Sequence, residues 1–231
     1  MLEGEGRFTL IECLQMSKGY SDEGDLFSGA TFRVAKGEIA VLSGAAGTGK
    51  STLLRMLLGM ERPDEGQVRL QGRNVHEMPQ RRLCRMRRRM GVVFQKGDLV
   101  PHWSLYENVA IPMIVAGRDR SIIQRRVFQI LEVLGLHRKA GVRCTGLGAA
   151  ERKLTEIARA AVNSPLVFIA DEPLCWLDPG DGLRVMTLLR ELTVEGSTLL
   201  MLTREPSGLT GIGETRWVRI AHRRFDECLN V

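Results

Sequence analysis

The segment Gly44-Ala45-Ala46-Gly47-Thr48-Gly49-Lys50-Ser51-Thr52 constrains this chain more than any other. It matches G-x-x-x-x-G-K-[ST] without a gap. Before it stands a short apolar run, Glu38 to Leu42. After it comes a run of helical spacing, Lys50 to Met60, with Leu53, Leu54, Leu57 and Leu58 on one side. A strand that feeds a turn of small residues and then a helix aims several backbone N–H groups and a helix N-terminus at one point, a cradle for phosphate. Lys50 is then expected at the outer phosphates, with the Ser51 hydroxyl on Mg²⁺. A plain glycine turn ahead of a helix is the alternative, and the strand–turn–helix context decides against it.

The complementary half of such a site lies far downstream. Leu166 to Ala170 is an apolar run that ends in Asp171-Glu172-Pro173. A carboxylate at the tip of a parallel strand beside the phosphate loop is the expected Mg²⁺ ligand, and Asp171 takes that place. Glu172 adds a second carboxylate, placed to polarise an attacking water as the catalytic base.

The rest of the pattern is α/β. Strands are expected over Phe8 to Leu14, Ala30 to Val34, Glu38 to Leu42, Gln67 to Leu70, Gly91 to Phe94, Leu166 to Ala170, Thr198 to Leu202 and Arg216 to Ala221. Helices are expected from Lys50 to Met60, Ser104 to Ala116, Ser121 to Leu134 and Leu183 to Glu195. That alternation predicts a parallel-sheet core with a helical insertion. One domain over 1–231 is expected, its core at about 1–95 and 161–231 and a helical subdomain at about 96–160.

Charge and cysteine usage narrow the function classes. The net charge of +6 is located between Arg73 and Arg89, where Arg73, Arg81, Arg82, Arg85, Arg87, Arg88 and Arg89 face one acid, Glu77. No aromatic interleaves this run, as single-strand binding would require, so nucleic acid is not expected as a partner. Anionic lipid headgroups fit better, and a solvated helix face is the plain alternative. Five scattered cysteines, never spaced as CxxC, argue against a disulfide framework or a zinc site and for a reducing cytoplasm. The opening Met1 to Arg7 carries no basic start followed by an apolar stretch, so no signal peptide is expected.

Taken together, the phosphate loop, Gln95 in Val92-Val93-Phe94-Gln95, the Asp171-Glu172-Pro173 strand end and Asp178 in Trp176-Leu177-Asp178 resemble the ABC ATPases. Within them the chain is similar to the FtsE subfamily of cell-division ATP-binding subunits. Ser17-Lys18-Gly19-Tyr20, Gly59-Met60-Glu61-Arg62-Pro63, Asn108 to Gly117 and Ala158 to Asn163 carry that likeness, over about residues 8 to 203. The resemblance implies a P-loop NTPase fold with a RecA-like core, an N-terminal antiparallel β-subdomain and a helical signature subdomain. It implies ATP and Mg²⁺ as cofactors, with Ser51, Gln95 and Asp171 at the metal. Tyr20 is implied to stack on adenine, Gln95 to sense the γ-phosphate, and Asp178 to form the D-loop. A second copy or a homologous subunit is the implied partner, together with an FtsX-like integral membrane protein. The segment Lys96 to Glu107, with Trp103 and Tyr106, is implied to receive that membrane protein. The place implied is cytoplasmic, peripheral on the inner face of the plasma membrane. A lipoprotein-release or macrolide-export subunit remains open, as does an ATP-gated clamp without turnover.

Two positions depart from the family pattern. Where Leu-Ser-Gly-Gly-Glu is expected, facing the opposite ATP, the chain reads Leu147-Gly148-Ala149-Ala150-Glu151. The serine hydroxyl is absent, and two methyl groups stand where glycine would let backbone approach phosphate. The helix N-terminus there keeps only a weak attraction for an anion. The switch histidine is replaced by Arg204, expected among the ATP-binding residues as a positive charge for the γ-phosphate, but longer and unable to share a proton as imidazole does. Beyond it Pro206, Gly208, Gly211 and Gly213 are expected to break a regular helix. Slow hydrolysis is the expectation.

Overall fold

A computed structural model describes residues 8–21, 24–205, 207–209 and 211–228. Pro206 and Met1 to Arg7 therefore lie outside the described residues. Two sheets organise the chain. The antiparallel one, in order β2-β1-β4-β5, is formed by β1 (Thr9–Tyr20), β2 (Gly24–Ala35), β4 (Glu65–Leu70) and β5 (Arg73–Asn74). The other, in order β10-β9-β3-β8-β7-β6, holds β3 (Ile39–Ser43), β6 (Met90–Val93), β7 (Val167–Asp171), β8 (Thr198–Thr203), β9 (Thr215–Ala221) and β10 (Arg224–Cys228). Its strands run parallel, apart from β10, which returns antiparallel to β9.

The parallel strands read as nearly continuous apolar runs because both of their faces are covered. Period-two alternation splits each strand between two cores. Val41, Phe168, Ala170, Leu199 and Met201 face one core, which also takes in α3 (Leu105–Val115), α4 (Arg120–Val133), α5 (Ala149–Ala161) and α6 (Pro179–Val194). Ala40, Leu42, Ile169, Leu200 and Leu202 face the other, with α1 (Lys50–Leu57) and the antiparallel sheet. Phe225 of β10 joins the two sheets by stacking on Phe27 and Phe32, at centroid distances of 5.4 and 5.0 Å. Helices α3, α4 and α5 all fall between β6 and β7 in the chain. The arginine run forms α2 (Gln80–Arg87).

Several elements differ from the sequence expectation. Strand β1 extends to Tyr20, since its pairing with β2 continues through shifts of register around Gln15, whose φ is 47°. Strand β10 was not anticipated, because Arg224 to Cys228 carries charge at most positions and is held as a hairpin partner of β9. Helix α6 begins at Pro179 rather than Leu183: Asp178 caps it, accepting the N–H of Asp181 at 2.8 Å, and proline is preorganised for a first helical turn. After β8 the chain makes a short 3₁₀ turn, Ser207–Leu209, and among the described residues no α-helix stands between it and β9.

Candidate nucleotide site

Strand β3 delivers the loop Gly44–Gly49 to the N-terminus of α1. The loop can take its shape because Gly49 sits at φ 94°, where a Cβ would also meet the Phe27 ring at 2.7 Å. The antiparallel sheet thus buttresses the phosphate loop from behind. Lys50 is buried, and its ammonium donates to the carbonyls of Gly44 at 2.6 Å and Ala45 at 2.8 Å. Burial lowers its pKa, opposed by the nearby carboxylates of Glu172 and Asp171. An ammonium satisfied only by neutral carbonyls can exchange them for a charged oxygen, which makes the stronger bond.

Strand β7 brings in the carboxylates. Asp171 is buried, and Ser51 Oγ donates to its Oδ2 at 2.6 Å. Burial raises the Asp171 pKa, against the lowering effect of the Ser51 bond and Lys50. A buried carboxylate beside a hydroxyl, held up in pKa by desolvation, gains from a cation, so Ser51 and Asp171 suit Mg²⁺ by donor chemistry. Gln95, exposed just past β6, lines the same cleft of about 190 Å³. Ala46, Gly47, Gly49, Thr52, Glu172 and Arg204 line it too.

Glu172 stands immediately past β7 with φ at 53°, a conformation uncommon outside glycine and concentrated at functional sites. One of its two oxygens is already engaged. Oε1 accepts the Arg204 backbone N–H at 3.0 Å and Arg204 Nε at 3.2 Å. Oε2 lies 3.3 Å from Thr203 Oγ1, a longer contact than the 2.9 Å bond that the same hydroxyl donates to the Glu205 carbonyl. The residue in the switch position is therefore an ion-pair partner of the expected base. The Arg204 side chain is more than half exposed, so the pair is screened and can open.

The other expected residues sit outside this cleft. The Tyr20 hydroxyl donates to Glu61 and accepts from Arg55 at 3.2 Å, 3.4 Å from Thr52 Oγ1, while the Lys18 ammonium lies 5.3 Å from the ring centroid. Gly148 caps α5, its N–H donating to Glu151 at 3.0 Å, and Gly148 and Ala149 are exposed. Ala149 shares a neighbouring depression with Gln95 and Trp176. Asp178 is occupied as the cap of α6. Trp103 is 38% exposed, and Tyr106 packs on Phe128 at 5.9 Å.

Sequence reasoning missed two parts of the surroundings. Arg204 holds Glu172 through its backbone N–H as well as its side chain, and only the alignment of β7 beside β8 reveals it. Lys153 and Glu156, on α5, form a buried ion pair of 2.8 Å. Lys153 also donates to the Phe94 carbonyl at 3.1 Å, next to Gln95. A Cβ at Gly97 would lie 2.2 Å from Glu156 Oε1, so any larger residue there would have to displace the Glu156 carboxylate.

The phosphate loop, the paired carboxylates at a strand end and a helical insertion between β6 and β7 define an ATP-binding cassette. The ABC transporter family matches residues 27–175, and the chain belongs to it. It is 37% identical over 196 residues to the cell division ATP-binding protein FtsE of Escherichia coli strain K12, covering 85% of this chain and 88% of that protein. It is 34% identical over 194 residues to FtsE of Bacillus subtilis strain 168, covering 84% and 85%. The fold is similar to that of the ATP-binding cassette MJ0796 in a dimeric post-hydrolysis state bound to ADP and Pi. There the TM-score is 0.85 at 25% identity, covering 96% of this chain and 100% of that one.

Proposed function

We propose that the protein is the ATP-binding subunit of an FtsE–FtsX-like complex in cell division, one that binds MgATP well and hydrolyses it slowly. The observation that carries the slow turnover is the engagement of Glu172 Oε1 by both the backbone N–H and the side chain of Arg204. The similarity to FtsE supports the cell-division role.

In this reading the loop amides and Lys50 bind the phosphates, and Ser51, Asp171 and Gln95 hold Mg²⁺. When bound, the metal neutralises charge on the β- and γ-phosphate oxygens. Glu172 orients the attacking water, and to do so it must exchange its bond to Arg204 for that water. Across a dimer, the N-terminus of α5 faces the opposite nucleotide, with Gly148, Ala149 and Ala150 in place of serine and two glycines. Tyr20 is the residue assigned to adenine and Asp178 the one assigned to the partner's site. Among the described residues no helix is long and apolar enough to cross a membrane. Membrane attachment is therefore assigned to an FtsX-like protein, received near the exposed Val100 and Trp103. The place that follows is the cytoplasmic face of the plasma membrane. A core of about 1–95 and 161–231 with a helical subdomain of about 96–160 is proposed, supported by the insertion of α3 to α5 between β6 and β7, with α5 ending at Ala161.

The test is co-expression with an FtsX-like membrane protein of the same organism, followed by detergent extraction and affinity capture. The subunit is expected to co-elute, and Trp103→Asp to weaken capture at least tenfold with nucleotide binding unchanged. A wild-type protein that never co-elutes contradicts the assignment.

A further inference from the structure

We propose that the groove between α2 and the sheet edges is a binding site for an anionic phospholipid, separate from the nucleotide cleft. Its floor is apolar: Leu10, Leu70, Met78, Met86, Met90 and Leu166 line it. Its rim carries Arg73, Arg82, Arg85 and Arg89. All four arginines are exposed, and among the described residues none lies within ion-pair distance of a carboxylate. Some arginines elsewhere meet acids, as Arg55 does Glu61 and Arg126 does Glu195, and others stand alone on the surface; these four differ in sharing one rim above an apolar floor. The four at the groove are left to an occupant of opposite charge.

Arginine forks match phosphate oxygens, and the methionines beneath offer a deformable surface to hydrocarbon. A ligand complementary to both is negatively charged at one end and apolar just below it. The groove holds about 250 Å³. That is below the roughly 300 Å³ at which pockets for whole drug-sized ligands begin, so the occupant inserts one end and leaves the remainder outside. A phospholipid headgroup with the first part of its chains satisfies these conditions. Free phosphate would leave the apolar floor uncovered, and nucleic acid would find no aromatic to stack on. The groove lies at the starts of β6 and β7, whereas Asp171 ends β7. Lipid binding therefore leaves the nucleotide cleft open.

The experiment is co-sedimentation of the purified chain with vesicles of phosphatidylcholine alone, or with about a third phosphatidylglycerol, at physiological salt. Binding is expected only to the anionic vesicles. Replacing Arg82→Ala and Arg85→Ala together is expected to weaken it about 30-fold, the conversion of roughly 1 kcal/mol per basic residue near an anionic surface. The equal charge change at Arg120→Ala and Arg125→Ala, on α4, is expected to leave at least half of the binding. Met86→Gln is expected to lower lipid binding several-fold with the charge intact, and a millimolar excess of glycerol phosphate is expected not to compete. Affinity for a fluorescent ATP analogue serves as the folding control and should not change in any variant. Equal losses in the two arginine pairs, no effect of Met86→Gln, competition by glycerol phosphate or by duplex DNA, or no binding to anionic vesicles each overturns the proposal.

Discussion

Lys50 and Glu172 show how differently two residues of one site can be written into a sequence. The lysine lies six residues from the Gly44 carbonyl that it holds, within one strand–turn–helix unit, so spacing alone announces its place. Lys50→Ala removes the only ammonium lining the cleft among the described residues and is expected to abolish binding of a fluorescent ATP analogue, at least 100-fold by titration. Unchanged affinity would remove the phosphate site from this loop. Glu172 was equally visible, but its restraint was not. The bonds from Arg204 depend on β7 lying beside β8, with Asp171 opposite Leu202, and no local pattern fixes that register. Arg204 read as a lost histidine with charge free for a phosphate, and the structure gives that charge a prior partner. Arg204→Ala should therefore leave nucleotide affinity within about threefold, because the ion pair is exposed and screened. A much larger loss would mean that Arg204 already contributes to the phosphate site.

At the scale of the element, α5 carries the sharpest contrast with expectation. Lys153 and Glu156 stand three residues apart, a spacing that on a helix commonly marks a solvated pair. Here the pair is buried, with 5% and 7% of the side chains exposed, and it reaches the Phe94 carbonyl beside Gln95. Burial raises the Glu156 pKa, and the Lys153 bond works against it. Charge pattern alone could not tell this helix face from an outer one, since burial depends on the segment Phe94–Gly97 folding over it. Breaking the pair with Lys153→Met leaves a carboxylate without its partner and is expected to cost about 3–5 kcal/mol in urea unfolding. Replacing both, Lys153→Met with Glu156→Leu, should recover most of that loss. If the single change costs under about 1 kcal/mol, the pair does not link the two segments. By contrast α3 was readable at its start, where Ser104 and Glu107 form a capping box, with Ser104 N–H donating to Glu107 at 2.7 Å and Glu107 N–H to Ser104 at 3.2 Å.

Over the whole molecule, the parallel core was legible from its apolar runs, while the joining of the two sheets through Phe225 was not, because β10 has no apolar alternation strong enough to announce it. The same holds for the proposed dimer: the near half of the ATP site can be read within one chain, and the far half would come from a second copy or a homologous subunit. Gly148, Ala149 and Ala150 present neither the hydroxyl nor the bare backbone suited to phosphate. With Glu172→Gln to prevent turnover, sedimentation in MgATP should find mostly monomer. Adding Gly148→Ser, Ala149→Gly and Ala150→Gly should tighten dimerisation by about 10-fold or more, the worth of a hydrogen bond to a charged group. An equally tight dimer before and after that repair would show that the altered segment costs nothing in closure. The decisive measurement is steady-state ATP hydrolysis by the wild-type chain beside variants carrying the three signature changes, Arg204→His, or all four. The predicted result is slow wild-type turnover that rises about 100-fold with all four changes, and more than with either set alone, since both act on one γ-phosphate. A wild-type rate of roughly 10 s⁻¹, the ordinary enzymatic scale, with no gain on repair would contradict it.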